Sequence, residues 1–301
     1  MDNPPRLARW GLLTALALSA TPRLAWACAS CACGDPTLTV MGTSKPFAGR
    51  LILGTEARAR WLSSGREGID LLEMSEQRVT LEGAWAPLPE LFVSLRVPLV
   101  RRDLKLADLS RASLANVGDV ELNVKGFIWQ DRAFNPDHLF AVDAGLELPT
   151  SPYMYGPGGE DLGFEAQLGT GSFDPSIGAS YAWFGDEVSI FGSVRGIFPT
   201  QGEFGARPGS ALLATVVGQV AVSSALALRA GADLRHETPF VQDDQTDPHS
   251  GGTALFATPE VLWSPLMDLT VRLAVSIPAV LDLRGTQTEG PTIRLGLVLD
   301  V

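Results

Sequence analysis

The sequence is short of cysteine and of charge, and each shortage narrows the classes of protein it can belong to. Its 301 residues include only Cys28, Cys31 and Cys33, so no disulfide framework can hold the rest of the chain. Charged residues make up 19% of the chain and the residues AVILMFWYC 46%, a composition that excludes disorder. The formal net charge of −11 excludes a strongly basic nucleic-acid binder. The 31 glycines and 21 prolines argue against a mostly helical bundle.

The N-terminus has the features of an export signal. Arg6 and Arg9 form a positively charged region, and residues 11–20 (GLLTALALSA) form an apolar one. Ala25 and Ala27 then supply a small-residue cleavage site. The protein is therefore expected to leave the cytoplasm.

This signal divides the chain into three parts. We expect residues 1–27 to be a secretory signal peptide, residues 28–46 to form a periplasmic segment that contains the cysteines, and residues 47–301 to form the folded body. An acylated Cys28 is a weaker interpretation, because Ala25 stands where a lipoprotein signal usually has leucine.

From residue 47 onward, apolar and polar side chains alternate. In FAGRLILGTEARARW, Leu53 and Ala57 are apolar, and the charged residues Glu56 and Arg58 alternate with them. A period of two indicates strands with one apolar and one polar face. The pattern recurs in about twelve segments, the last being TIRLGLVLDV. The sequence therefore predicts an all-β fold.

The predicted connections differ in length on the two sides of the sheet. Short ones follow the second, sixth, eighth and tenth strands, and a moderate one follows the fourth. Longer loops follow the odd-numbered strands, at about 62–75, 100–117, 150–174, 199–207, 236–252 and 281–290. Short turns on one side and long loops on the other are typical of transmembrane β-barrels. We therefore predict a transmembrane, antiparallel, up-and-down β-barrel of about 12 strands in the outer membrane of a Gram-negative bacterium, with outer-membrane lipid around it.

The tryptophans support this prediction. All five in the body lie near predicted strand ends, where girdles of aromatic rings meet the lipid headgroups. These are Trp61, Trp85, Trp129, Trp183 and Trp263. The uncharged stretch 208–228 is long enough for a membrane helix, but polar residues interrupt it and a β-hairpin fits the strand count better.

The charged residues on the polar parity are the candidate lining of the barrel interior. They are Glu56, Arg58, Arg60, Arg78, Glu82, Arg96, Glu121, Asp143, Glu147, Arg195, Arg229, Asp233, Arg235, Glu260, Arg272 and Arg294. Such mixed charge suits either a wet pore or a set of ion pairs that closes the lumen, and both alternatives remain open. Since the two signs are nearly balanced, we expect no strong selectivity for ions of one sign.

The cysteine motif C-x-x-C-x-C has three interpretations. Cys28, Cys31 and Cys33 could bind a soft metal ion as thiolates, form a local disulfide with one free thiol, or include a lipidated residue. A covalently attached haem is excluded because the sequence has no C-x-x-C-H. We expect no cofactor in the folded body.

Catalytic motifs are missing, and we do not expect an enzyme. The sequence has no G-x-S-x-G, H-E-x-x-H or phosphate-loop pattern. A loop histidine (His138, His236 or His249) acting with Glu160, Asp161 or Asp174 would suit a hydrolase, but solvated loop residues are the simpler interpretation. The acidic loop at Asp243, Asp244 and Asp247 lacks the spacing of an EF-hand and is interpreted in the same way.

Three short motifs resemble a known family. GDVELNVKG at 118–126, GLELPTS at 145–151 and LGTGSFDP at 168–175 are similar to segments of the bacterial outer-membrane barrel family named for the meta-pathway of phenol degradation. The resemblance extends over roughly 115–301 and implies a channel or transporter for aromatic and other small hydrophobic compounds. The cysteine segment departs from the family pattern.

Together these features lead to one expected function and one alternative. The expected function is an outer-membrane channel or transporter for small, hydrophobic or aromatic solutes. The alternative is a non-conducting barrel scaffold whose cysteine segment binds a metal ion or a periplasmic partner. The sequence carries no signal for an oligomeric state.

Overall fold

A closed antiparallel sheet makes up almost all of the structure. The structure, a computed structural model, describes residues 48–301 except 134, 135, 157, 160, 161, 203, 204 and 267. Cys28, Cys31 and Cys33 lie outside the described residues. The twelve strands are β1 (Leu51–Ser64), β2 (Leu72–Leu88), β3 (Leu91–Lys105), β4 (two segments, Arg111–Val117 and Val120–Gln130), β5 (His138–Leu148), β6 (Asp174–Phe184), β7 (Val188–Ile197), β8 (Ala211–Ala221), β9 (Leu226–Glu237), β10 (Gly252–Leu266), β11 (Leu269–Leu283) and β12 (Thr292–Asp300).

Short elements occupy some of the connections. They are a 3-10 turn at Phe164–Ala166, a small sheet formed by Ala206–Arg207, Val241–Gln242 and Gln245–Thr246, and the segment Thr288–Glu289, which pairs with β1. Within the described residues, no helix is both long and apolar enough to cross a membrane.

The sheet closes because β1 pairs on both sides. Glu56 in β1 lies opposite Thr80 of β2 and opposite Gly296 of β12. Each of the other strands pairs antiparallel with its neighbours in the chain, and both segments of β4 pair with β3. Among the described residues, closure leaves the barrel sheet without an unpaired edge, which is the condition for a sheet in lipid. The predicted 12-stranded all-β barrel is confirmed.

Apolar side chains cover the outer surface of the barrel. In β12, Leu295 is 48% exposed whereas the neighbouring Arg294 is 3% exposed. The same alternation holds in β2, where Leu81 is exposed and the adjacent Glu82 is half-buried. This arrangement inverts that of a soluble protein and suits a lipid surround.

The two ends of the barrel differ. The loop end carries the connections 65–71, 106–110, 149–173, 198–210, 238–251 and 284–291. The turn end carries the remaining connections, the start of β1 and the end of β12. Trp85, Trp129 and Trp263 are exposed near the turn end, and Trp61 is exposed near the loop end. They stand where the aromatic girdles were expected.

Two predicted loops include strand residues, about half of 62–75 and most of 100–117, which corrects these boundaries. β1 and β2 stay paired as far as Ser64 and Leu72, and β3 and β4 as far as Lys105 and Arg111. The reason is a change of polarity. Beyond Leu99 the outer face of β3 carries Arg101, Asp103 and Lys105 instead of leucine, so alternation no longer marks a lipid-facing strand.

The stretch 208–228 is a hairpin rather than a helix, as expected. β8 and β9 pair from Ala211 opposite Glu237 to Ala221 opposite Ala227. The uncharged run therefore supplies one complete strand and the turn that follows it.

The interior has three layers. At the turn end, Ile52, Ala84, Ala86 and Phe92 form a buried apolar cluster. The middle layer carries the charged residues. At the loop end lies a second buried apolar cluster, which we call the loop-end cluster; its members are Leu62, Met74, Val100, Leu104, Ala112, Leu114, Ala166 and Leu168.

Candidate functional site

The charged middle layer of the barrel is the candidate site. All sixteen residues expected on the inner face are buried or half-buried, and none is exposed. Most of them fall into three groups of ion pairs. The pairing joins residues far apart in the sequence, such as Glu56 and Arg272, whose Oε2 and Nη1 atoms are 3.3 Å apart.

The first group, which we call the arginine quartet, surrounds Glu76 of β2. Glu76 is 1% exposed, and the nitrogen–oxygen distances to it are 3.0 Å from Arg58, 3.0 Å from Arg60, 2.8 Å from Arg102 and 3.7 Å from Arg78. Arg60 binds both carboxylate oxygens through Nε and Nη2, each at 3.0 Å. Four guanidinium groups thus share one carboxylate.

The second group runs from β2 to β7. Arg96 binds Glu82 and Glu121, each at 3.1 Å. Arg195 binds Glu121 at 2.9 Å and Asp143 at 2.6 Å. These side chains keep some solvent exposure, for example 24% for Arg195. Water therefore reaches the interior on this side of the barrel.

The third group lies on β9 to β12 and is more tightly closed. Arg272 is 1% exposed and binds Glu260 through Nε at 2.8 Å and Nη2 at 3.1 Å. Arg229 approaches the same carboxylate at 3.9 Å. Asp233 accepts hydrogen bonds from Thr215 at 2.8 Å and Thr258 at 2.6 Å.

The remaining members of the predicted set lie beside this group, near the loop end or in a row of carboxylates. Arg294 forms an ion pair with Asp233 at 3.8 Å and donates to Ser276. Arg235 pairs with Glu237 and Glu289 near the loop end. Glu147 lies opposite Glu121 and Asp174 in the sheet register, so carboxylates from three strands stand side by side.

The long loop 149–173 folds onto the inner wall at the loop end. Asp119, 5% exposed, accepts hydrogen bonds from the backbone nitrogens of Ser151 at 2.8 Å and Thr170 at 2.6 Å. Arg102 donates to the carbonyl oxygens of Glu165 and Gln167. Charged groups of the wall therefore hold the loop by its backbone.

Two further loops pack against the first. The ring of Phe164 stacks on Phe240 of loop 238–251 with centroids 4.8 Å apart, and Ala206 of loop 198–210 joins the same cluster. The carboxyl group of Glu165 is buried here near Asp247, and burial raises its pKa to about 8. The three loops therefore pack against one another at the loop end.

Several charged interior residues of the described chain were missing from the predicted set, among them Glu76, Arg102, Lys125 and Asp119. Glu76 and Arg102 have even numbers, as the inward-facing Arg78 and Arg96 do. This shared parity is the sequence signal that identifies them as interior residues. Arg102 had been assigned to a loop. Lys125 lies on the inner face of β4 and Asp119 lies in the break between its two segments, where the parity of the inner face shifts.

The residues considered for catalysis are not brought together where the structure describes them. The ring of His138 hydrogen-bonds to Tyr181 at 2.6 Å and that of His236 to Thr253 at 2.9 Å, whereas the carboxylate of Asp174 binds Ser172. Glu160 and Asp161 lie outside the described residues. Among the residues that the structure covers, no group of three or more His, Cys, Asp or Glu side chains could hold a metal ion.

Comparisons show a fold shared with a solved outer-membrane channel. No protein-family model matches the chain, and no curated protein sequence matches it. An outer membrane channel from Pseudomonas putida F1 superimposes with a TM-score of 0.65 at 14% identity, covering 84% of this chain and 96% of that one. The translocator domain of the autotransporter NalP from Neisseria meningitidis has a TM-score of 0.49 at 11% identity, over 86% and 91% of the two chains. The NanC porin has a TM-score of 0.46 at 10% identity, over 82% and 100%.

Proposed function

We propose that the protein is an outer-membrane channel that passes small solutes. The observation that carries this proposal is a charged interior, partly reached by water, inside an apolar outer surface. Glu56 and Arg195 keep side-chain exposures of 27% and 24% although both face inward. A barrel with a fully packed core would leave no such exposure.

The route follows one side of the interior. Arg96, Glu121, Asp143 and Arg195 on β3 to β7 keep side-chain exposures between 10% and 24%. On the opposite side, Arg272 is closed at 1%. A path beside the open group is narrower than the whole barrel, so we propose that it admits small solutes only.

The preferred solutes are amphipathic or aromatic. Next to the turn end, the rings of Phe92 and Phe127 meet edge to face with centroids 6.0 Å apart, and those of Phe184 and Phe191 do so at 5.7 Å. Aromatic rings on the interior side give apolar solutes a surface that ions do not prefer. The resemblance to the phenol meta-pathway barrels supports the same solute class.

The N-terminal parts of the chain are assigned from the position at which β1 begins. We propose that residues 1–27 are removed on export and that residues 28–46 lie in the periplasm. β1 begins at the turn end, where β12 also finishes, and short turns face the periplasm in outer-membrane barrels. The cysteines would then be on the periplasmic side.

Solute flux into liposomes tests the proposal. Liposomes that contain the purified mature protein should swell in isosmotic arabinose faster than in a tetrasaccharide. Ser193→Trp adds bulk to the inner face beside Arg195 and should slow swelling severalfold. The matched variant Val194→Trp points to lipid and should not, because Val194 is exposed on the outer face. Absence of swelling in every sample would favour the scaffold alternative.

A further inference from the structure

The arginine quartet carries more positive charge than its single carboxylate can balance. Oε1 of Glu76 accepts from Arg58 Nη2 at 3.0 Å and from Arg60 Nε at 3.0 Å. Oε2 accepts from Arg60 Nη2 at 3.0 Å and from Arg102 Nε at 2.9 Å. A carboxylate offers about four acceptor sites, so this one is fully used.

Arg78 is left outside this arrangement. Its Nε atom lies 3.7 Å from Glu76 Oε1, beyond hydrogen-bonding distance. Among the described residues, the Nε atoms of both Arg78 and Arg58 are buried and have no hydrogen-bond partner. A buried guanidinium donor without an acceptor raises the free energy of the folded state, and a bound anion that accepts its hydrogen bond would remove this penalty.

The other carboxylates nearby do not restore the balance. Glu289 is within electrostatic reach of Arg60 but forms an ion pair with Arg235. Glu147 is within reach of Arg78, and it also faces Asp174 and Glu121. The quartet therefore keeps a local positive excess on the wall formed by β1 to β3.

We propose that the arginine quartet binds the carboxylate of a small organic acid within the lumen, with Arg78 as the residue that contacts it. This inference rests on the proposed function and names its solute class more closely. The planar guanidinium fork matches a carboxylate with two parallel hydrogen bonds. The apolar loop-end cluster lies next to the quartet, since Met74 is two residues from Glu76 on the same face of β2. The apolar loop-end cluster beside the quartet favours an organic acid with an apolar group over inorganic phosphate.

Equilibrium dialysis of the folded mature protein in detergent provides the test, with radiolabelled benzoate as the probe. Benzoate should bind saturably, and unlabelled benzoate should displace it, whereas benzamide, its neutral analogue, and inorganic phosphate should not. Arg78→Gln should weaken binding roughly tenfold or more, the size expected for losing a charge-assisted hydrogen bond. Arg101→Gln removes the same charge from the exposed outer face of β3 and should leave binding unchanged.

Two results of the variant and analogue measurements would overturn the inference, as would the absence of any benzoate binding. One is unchanged benzoate binding in Arg78→Gln, and the other is equal binding of benzamide. Arg78→Lys serves as a second variant if the glutamine variant does not fold, which circular dichroism of the sheet would show. It keeps the charge but loses the fork, so intermediate affinity is expected. Binding without liposome swelling would refute only the channel, and swelling without binding would refute only this site.

Discussion

The guanidinium of Arg102 joins the barrel wall to the loop above it, since its Nη1 atom lies 3.0 Å from the carbonyl oxygen of Glu165. The same side chain binds Glu76 through Nε at 2.9 Å. One residue of β3 therefore connects the arginine quartet with loop 149–173.

Replacing Arg102 should release this loop. Arg102→Met leaves the carbonyl oxygens of Glu165 and Gln167 without their donor, at a cost of about 1–3 kcal/mol for each unsatisfied group. Limited proteolysis of the folded protein should then cut within 149–173 at least tenfold faster. Arg101→Met, on the outer face, is the control. Equal cleavage of both variants would show that Arg102 does not hold the loop.

Docking of the same loop should depend on pH through Glu165. Burial raises the pKa of this carboxyl from near 4.5 to about 8. Between these two pH values Glu165 is therefore protonated in the docked loop and ionised in the released loop. Docking should therefore be strongest at low pH, weaken as pH rises from about 4.5 through 8, and change little above that.

Glu165→Gln tests this pH dependence. The variant keeps a neutral side chain at every pH, so its rate of proteolysis between pH 6 and 9 should be flat, whereas the wild-type rate should rise. Asp108→Asn, in the exposed loop 106–110, is a control that should retain the wild-type profile. A flat wild-type profile would contradict the assignment.

The two ends of the barrel should differ in accessibility on intact cells. In a background with Cys28→Ser, Cys31→Ser and Cys33→Ser, Gln245→Cys should react with an impermeant maleimide and Asp186→Cys should not. Gln245 lies in a loop-end connection and Asp186 in a turn-end connection, and both are exposed. Labelling of Asp186→Cys without permeabilisation would mean that the orientation is inverted.

The lipid-facing surface can be tested at Leu295. This residue is exposed near the middle of β12, opposite Ala57 of β1. Leu295→Arg should cost ~2–4 kcal/mol in the free energy of folding into lipid vesicles, because it places a charge near the bilayer midplane. Ser180→Arg, on the inner face two residues from Gly178, which lies opposite Asp143 in the register, should cost clearly less. Equal losses would invalidate the assignment of faces.

Sequence reasoning reached the barrel because lipid imposes a strict period of two. Where a strand crosses lipid, as at Leu295 beside Arg294, the pattern is unambiguous. It fails beyond Leu99, where the outer face carries Arg101 and Asp103 in place of leucine. The sequence pattern therefore predicts loops at these strand ends, and Arg102 is not among the predicted interior residues.

The candidate site was predictable as a face but not as a set of contacts. Parity places Arg58 and Arg78 on the inner side, yet only the register shows that both approach Glu76. The near balance of the predicted set also concealed a local excess, because four arginines gather around that one carboxylate. Which charges are close together depends on the shear of the closed sheet, which alternation does not encode.

Single-channel conductance in planar bilayers tests the central claim most directly. The mature protein should give discrete, small conductance steps. Arg96→Ser should enlarge them, because the Arg96 side chain bridges Glu82 and Glu121 inside the barrel. The matched change on the outer face, Arg101→Ser, should leave the steps as they are. Folded protein that inserts into the bilayer but shows no steps, in the wild type and in Arg96→Ser alike, would contradict the channel and leave the barrel as a scaffold.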